Sequence, residues 1–232
     1  MHTRPPFDAT AARRLRESLG MTPGHVAYGM WAAFGLRISA ERVTAWEHQE
    51  DAPTEDELAA LAGALWCAPA ELMGEPRTVR EYRLARGTAL TDVAMRVGMP
   101  AAQYREVERS GRWTGDERQA VALADALGMS LRARTELTGR RDRLVALLRS
   151  AAGSRWQGYV RPLRKLLPEL SGERAEEVLE LLNDEFHRRS FSSLSWIDTG
   201  SQTAQGSADA GRIFLDGIEE HFWAALDTGQ RT

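Results

Sequence analysis

Residues Gly87 to Ser110, GTALTDVAMRVGMPAAQYREVERS, constrain this chain more than any other stretch. Val93-Ala94 opens one helical pattern, Val97-Gly98-Met99 breaks it, and Tyr104, Val107 and Glu108 fall three to four apart on a second short pattern. Two helices cross at a tight angle where a small residue lets their backbones approach and a glycine supplies the positive φ of the turn. Ala94 and Gly98 meet those two needs, and the segment reads as a helix-turn-helix. The same frame recurs upstream, stretched, as Val26-Ala27, Met30, Ile38-Ser39, Val43 and Trp46-Glu47. From the Val-Ala pair to the Glu is 21 residues in the first copy and 15 in the second, so the first holds six extra residues within Trp31 to Arg37. Each copy then continues into a matching segment, Leu61-Ala62-Gly63-Ala64-Leu65 and Leu123-Ala124-Asp125-Ala126-Leu127. Two copies of one unit are much harder to obtain by chance than one.

At these residues the chain resembles the XRE family of phage-repressor-like DNA-binding domains. That family's core runs apolar-Ala, two residues, apolar-Gly-apolar, then a recognition helix that closes on an aromatic or aliphatic residue and Glu. The resemblance covers about 8 to 138. It implies an all-α chain with two tandem lambda-repressor-like five-helix domains, 8–75 with a lengthened second helix and 77–138, followed by an α-helical region over 140–228. It implies roles as well. Ser39, Ala40, Glu41, Thr44 and Ala45 in the first copy, and Pro100, Ala101, Ala102, Arg105 and Glu106 in the second, would face the groove of a duplex. Arg42 and Gln103 lie among them, Arg42 where the family usually has a small residue. Val43, Trp46, Tyr104 and Val107 would face inward. Arg16 with Glu47, and Arg83 with Glu108, match a pair that in the family ties the first helix to the end of the recognition helix, so these glutamates are structural rather than catalytic acids.

Of the ten positions that the resemblance turns to the groove, Arg42 and Gln103 aside, only Arg105 carries the fork that contacts guanine in bidentate fashion, and Glu41 or Glu106 can accept from cytosine N4. Phosphate contacts position a protein without reading sequence. They fall to Arg86, Arg96, Arg109, Arg112 and the basic run between 140 and 165. Specificity then comes partly from DNA shape.

The net charge of -3 hides an asymmetry. Residues 1–75 hold 6 Arg against 11 Asp and Glu, 76–165 hold 19 basic residues against 9 acids, and 166–232 hold 5 against 13. A basic block beside a helix-turn-helix is the electrostatic footprint of phosphate binding. The single cysteine, Cys67, excludes an internal disulfide, fits a reducing cytosol and reads as a small buried hydrophobe. The N-terminus lacks the apolar run of a signal peptide, and no stretch approaches the roughly 18 apolar residues of a membrane span. A cytoplasmic, nucleoid-associated protein is expected.

Local signals set the remaining elements. Residues 1–7 read as a loose arm, and Asp8 or Thr10 caps a first helix bearing Ala11, Ala12, Leu15 and Leu19. Thr22-Pro23 starts the second helix, which presents Val26, Ala27 and Met30, with Trp31 and Phe34 expected in the core. Thr54-x-x-Glu57 and Thr114-x-x-Glu117 read as capping boxes, and a short fifth helix over Ala68 to Met73 precedes a boundary at Gly74-Glu75-Pro76. In the tail, Pro162 interrupts a basic segment. Ser171 caps a helix with Ala175, Val178, Leu179, Leu182 and Phe186 on one stripe, 198–208 reads as a loop, and a last helix spans about Asp209 to Leu226. Two such amphipathic helices need a surface to bury against, and a homodimer through them is the expected arrangement.

No enzymatic pattern emerges. The five histidines show no metal-ligand spacing, and there is no phosphate-cradling glycine loop, serine elbow or Cys-His pair. No catalytic residue, metal or cofactor is expected. The expected function is sequence-specific binding of double-stranded DNA by a homodimeric transcriptional regulator. Two alternatives stand beside it: an adaptor or antitoxin-like module that uses its helix-turn-helix units for protein contacts, and a regulator with a small-molecule effector pocket lined by Trp156, Phe186, Trp196 or Phe222.

Overall fold

The computed structural model describes residues 4–191 and 210–228, and those residues form helices, turns and no strand. The chain divides into two compact units, Met1–Thr138 and Gly139–Thr232.

The first unit runs α1 (Ala9–Ser18), α2 (Pro23–Phe34), α3 (Ala40–Glu47), α4 (Glu55–Ala64), a 3-10 turn at Pro69–Leu72, then α5 (Val79–Ala85), α6 (Leu90–Val97), α7 (Ala101–Ser110), α8 (Glu117–Leu127) and α9 (Leu131–Leu137). Side-chain caps fix many of the starts: Asp8 accepts from Ala11 N, Thr22 from His25 N, Ser39 from Arg42 N and Thr54 from Glu57 N. Each cap satisfies a donor that the first helical turn leaves free. Within the unit lie two hydrophobic clusters. One gathers Val26, Met30, Val43, Trp46, Leu58, Leu61 and Leu72, and the other Val93, Ala94, Val97, Tyr104, Val107, Leu123 and Leu127.

The two clusters solve the same packing problem with opposite volumes. The small Val43 and large Trp46 of α3 correspond to the large Tyr104 and small Val107 of α7, and all four are buried. A core that keeps its total volume tolerates such exchanges. The six extra residues of the first copy go into helix and linker together. Helix α2 has 12 residues where α6 has 8, and the connection 35–39 has five residues where 98–100 has three. Gly35 at φ +70 and Gly98 at φ +70 end the two helices in the left-handed region, as a tight reversal after a helix requires.

Several local expectations are corrected. Residues 4–7 are not a loose arm, because Pro5 is buried, Phe7 packs on the first core and Asp8 N donates to Leu72 O at 2.9 Å. Trp31 and Phe34 are exposed rather than in the core, on the part of α2 that has no counterpart in α6. Leu19 is exposed too, at the end of α1. The box that opens α8 is Asp116 with Gln119, not Thr114 with Glu117, since the helix starts at Glu117 itself. Val93-Ala94 sits inside α6 rather than at its head, which is Leu90.

The second unit holds α10 (Arg141–Ala152), a 3-10 turn at Trp156–Tyr159, α11 (Val160–Leu166), α12 (Gly172–Phe191), a helical stretch over 210–216 and a last helix, Ile218–Thr228. Pro162 does not interrupt α11, because it lies in the first turn, where no intrahelical donor is needed. Gly217 breaks the expected final helix in two. Ala175, Val178, Leu179 and Leu182 of α12 are buried against α10, α11 and the last helix. The stripe is therefore covered inside the chain, and the argument that it needs a second copy falls away. Asn183 adds a polar tie where α10 ends, donating through Nδ2 to the carbonyls of Ala151, Ala152 and Ser154 at 3.3, 2.8 and 3.0 Å. The expected loop at 198–208 and Trp196 lie outside the described residues.

No described helix is long and apolar enough to cross a membrane, and among the described residues no cluster of His, Cys, Asp and Glu could hold a metal ion.

Candidate nucleic-acid interface

Helix α7 is held from beneath by one buried ion pair. Arg83 of α5 donates through Nε and Nη2 to the two carboxylate oxygens of Glu108 at 2.6 and 2.9 Å, and through Nη1 to the carbonyl of Thr88 at 3.2 Å. The side chains are 9% and 5% exposed. Burial alone would lower the proton affinity of Arg83, but the hydrogen bonds and charge of Glu108 outweigh it and raise that affinity. The first copy repeats the geometry: Arg16 reaches Glu47 at 2.6 and 2.7 Å and the carbonyl of Met21 at 2.8 Å. A planar guanidinium that fills one fork with a carboxylate and turns a third nitrogen to a backbone oxygen fixes an angle between helices, which a point charge would not. Tyr104 is buried beside this pair, and burial together with the charge of Glu108 pushes its hydroxyl well above its ordinary value.

No family model, curated protein or solved structure matches this chain. What the surface can do rests on its own geometry.

On the outer side of α7, Ala102, Arg105, Glu106 and Arg109 are exposed, with Ala101 half-buried. Arg112 follows in the loop and Arg96 projects from α6, both exposed. Arg96, Arg105 and Arg112 form no ion pair among the described residues, so three guanidinium groups remain available for an anion. Arg109 is engaged instead. Glu106 accepts from its Nε and Nη2 at 2.7 and 2.6 Å, which lowers the carboxyl of Glu106 and raises the guanidinium of Arg109. A phosphate would have to compete with this exposed carboxylate.

Three expected contacts are differently employed. The amide of Gln103 donates to Thr114 Oγ1 at 3.1 Å and braces the loop after α7. Arg86 donates to the carbonyl of Leu127 at 3.0 Å, lying so close over Gly128 that a Cβ there would meet Nη2 at 1.7 Å. It closes the end of α8 rather than reaching outward. Arg42 pairs with Glu57 at 3.0 Å and Asp51 at 3.7 Å and stacks over the Trp46 ring. Helix α3 therefore shows Ser39, Glu41 and the half-buried Ala40, Thr44 and Ala45 without an unpaired arginine. Glu41 is held ionised by the Ser39 hydroxyl and its own backbone N–H. The two reader-type helices thus differ in charge although their supports match.

Gln119 is the residue the sequence reading missed. It completes the box with Asp116 and also donates from Nε2 to Gly98 O at 2.9 Å, tying the start of α8 to the turn between α6 and α7. The pattern Asp116-x-x-Gln119 carries the signal, two residues beyond Thr114-x-x-Glu117. The arginines between 140 and 165 belong to the second unit.

That second unit holds a half-open groove of about 580 Å³ between α12 and the last helix, lined by Arg174, Leu181, Glu185, Arg189, Phe214 and His221 among others. None of Trp156, Phe186 and Phe222 lines it, and it is not the closed apolar cavity expected of an effector site.

Proposed function

We propose that this chain is a DNA-binding transcriptional regulator of the XRE type, with two tandem helix-turn-helix units, in which the second unit reads the duplex. The observation that carries this reading is on α7, a helix locked by Arg83 and Glu108, where Arg105 is exposed and forms no ion pair among the described residues, as is also true of Arg96 on α6 and Arg112 in the loop after α7. Arg105 reads a guanine in the major groove, and Arg96 and Arg112 sit on phosphates. Residues 76–138 hold 11 arginines against 8 acids, an excess that favours the approach of a polyanion. The test is genomic footprinting with Arg105→Ala as control, paired with binding across a salt series. Occupied sites should change with the substitution, and affinity should fall steeply as salt rises. An unchanged set of sites would place the reader elsewhere.

The charge of α3 favours a different task for the first unit. With Arg42 turned onto Glu57 and Asp51, and Glu41 exposed, that helix presents no unpaired cation to a phosphate, and we assign the unit to protein contact. Homodimerisation suits a regulator that occupies two half-sites. Leu181 and Ile213, which are large apolar side chains exposed among the described residues of Gly139–Thr232, are the residues we assign to it.

A further inference from the structure

The first unit carries four exposed aromatic side chains, Tyr28, Trp31, Phe34 and Trp66. Trp66 is the most informative. It is 84% exposed and holds φ +53 immediately after the C-cap of α4. The matching position after α8 is Gly128, at φ +64. A left-handed residue that ends a helix is ordinarily glycine, since any Cβ there crowds the backbone. The chain's own repeat uses that glycine, whereas the first unit keeps a large ring in the same backbone state and directs it into water. Strain held at an exposed position points to a use for the side chain.

The neighbours fit one surface. Trp31 and Phe34 fall within the six residues that the second copy lacks. Tyr28 and Trp31 have ring centroids 5.7 Å apart. The Phe34 ring lies directly over Gly63, where an added Cβ would meet Cζ at 2.2 Å. Trp66 N donates to Gly63 O at 3.2 Å, so the tryptophan begins one turn beyond the glycine that Phe34 covers. On α4, the exposed Asp56 and Ala59 and the half-buried Gly63 recur at helical spacing, and Trp66 follows the end of that helix. The result is a shallow apolar strip of aromatic rings and small residues with an acid at one end.

Charge selects the occupant. Residues 1–75 carry 11 acids against 6 arginines, and Glu50, Asp56 and Glu71 are exposed there. Two such faces would repel each other, whereas a cationic partner would be attracted. We propose that the Tyr28, Trp31, Phe34 and Trp66 face is a docking surface for a basic amphipathic helix of another protein. Aliphatic side chains at i, i+3, i+4 and i+7 of that helix lie along the strip, and its arginines or lysines flank Asp56. This surface does not depend on α7 being the DNA reader.

The test uses the full chain and Trp66→Gly, which installs the residue found in the repeat. The probe is a labelled synthetic amphipathic helix of leucine and arginine, compared with a peptide in which every arginine is glutamate, both followed by fluorescence anisotropy. The leucine-arginine peptide should bind the wild type and lose at least tenfold in affinity to Trp66→Gly. That variant should unfold at the same temperature or higher and bind DNA as the wild type does. The glutamate peptide should show no dependence on Trp66. Unchanged binding of the arginine peptide by the variant would overturn the proposal, as would an equal loss for both peptides or a lowered unfolding temperature. A wild-type dimer that Trp66→Gly converts to monomer would overturn it in favour of a second copy of this chain.

Discussion

The pair Arg83 and Glu108 makes the sharpest energetic prediction. In Arg83→Met, Glu108 keeps its charge in a site where its side chain is 5% exposed and its bidentate partner is gone. An uncompensated buried charge of this kind costs about 3–5 kcal/mol. Glu108→Leu should cost less, near the lower end of that range, because Arg83 retains the Thr88 carbonyl at 3.2 Å and Glu55 at 3.7 Å. Replacing both partners removes both desolvation penalties and leaves apolar side chains of comparable size. The double variant should therefore lie within about 1 kcal/mol of the wild type. A unit of this size shifts by about 2–4 °C for each kcal/mol, so Arg83→Met should lose on the order of 10 °C while the double variant loses only a few degrees. Urea and thermal unfolding followed by circular dichroism measure all four proteins in one cycle. If Arg83→Met costs under about 1 kcal/mol, or if the double variant costs as much as the two singles together, the pair is not a buried, mutually dependent unit and the reasoning fails. The recovered double variant then permits a cleaner question. It is folded but has lost the fork that sets the angle between α5 and α7, so any fall in its DNA affinity reports geometry rather than stability.

Arg105→Ala should weaken binding to a specific site by roughly 10- to 100-fold, equivalent to about 1–3 kcal/mol, with an unchanged unfolding curve; a competition assay against random-sequence DNA checks it. Arg112→Ala should weaken binding alike on all sequences and make the slope of log affinity against log salt shallower by about one. Gln119→Ala removes half of a capping box and the bond to Gly98 O, and should cost about 1 kcal/mol by urea unfolding, where a cost near zero would mark both bonds as incidental. The Cys67 thiol is pushed up to about 11 by burial, with Glu71 adding to it, so at pH 7 it should react with iodoacetamide far more slowly than a free thiol, as mass spectrometry of the native protein would show. The carboxyl of Glu106 is lowered from 4.5 by Arg109, so its small contribution is present above that pH and fades as pH falls through the lowered value. In Glu106→Gln this part of the acid-induced loss of stability should disappear, and high salt should shrink it in the wild type.

Much of the helical layout was legible because each signal is local. Ser39, Thr22 and Thr54 cap where their chemistry placed them, and Gly98 turns where positive φ was required. Arg16 with Glu47 and Arg83 with Glu108 were implied by the resemblance to the XRE family, and both pairs form. The misses share a different character. Gln103, Arg86 and Arg42 have side chains long enough to reach several partners, and Thr114, Leu127 and Glu57 were invisible as partners until the helices had been brought together. Trp31 and Phe34 read as core because aromatic residues are usually buried, but they lie on the stretch of α2 that α6 lacks, and each stays about half exposed.

The sequence by itself determined what depends on near neighbours and on repetition: the helix starts, the turn at Gly98, the doubled frame and the concentration of positive charge in the middle of the chain. Only the tertiary structure decided which arginines stay unpaired, which face of α12 is already covered, and that Trp66 stands in water with a backbone conformation its repeat gives to glycine. The reason is physical. A helical period and a cap are set within a few residues, whereas the partner of a guanidinium and the cover over an apolar stripe come from elements that can be dozens of positions away.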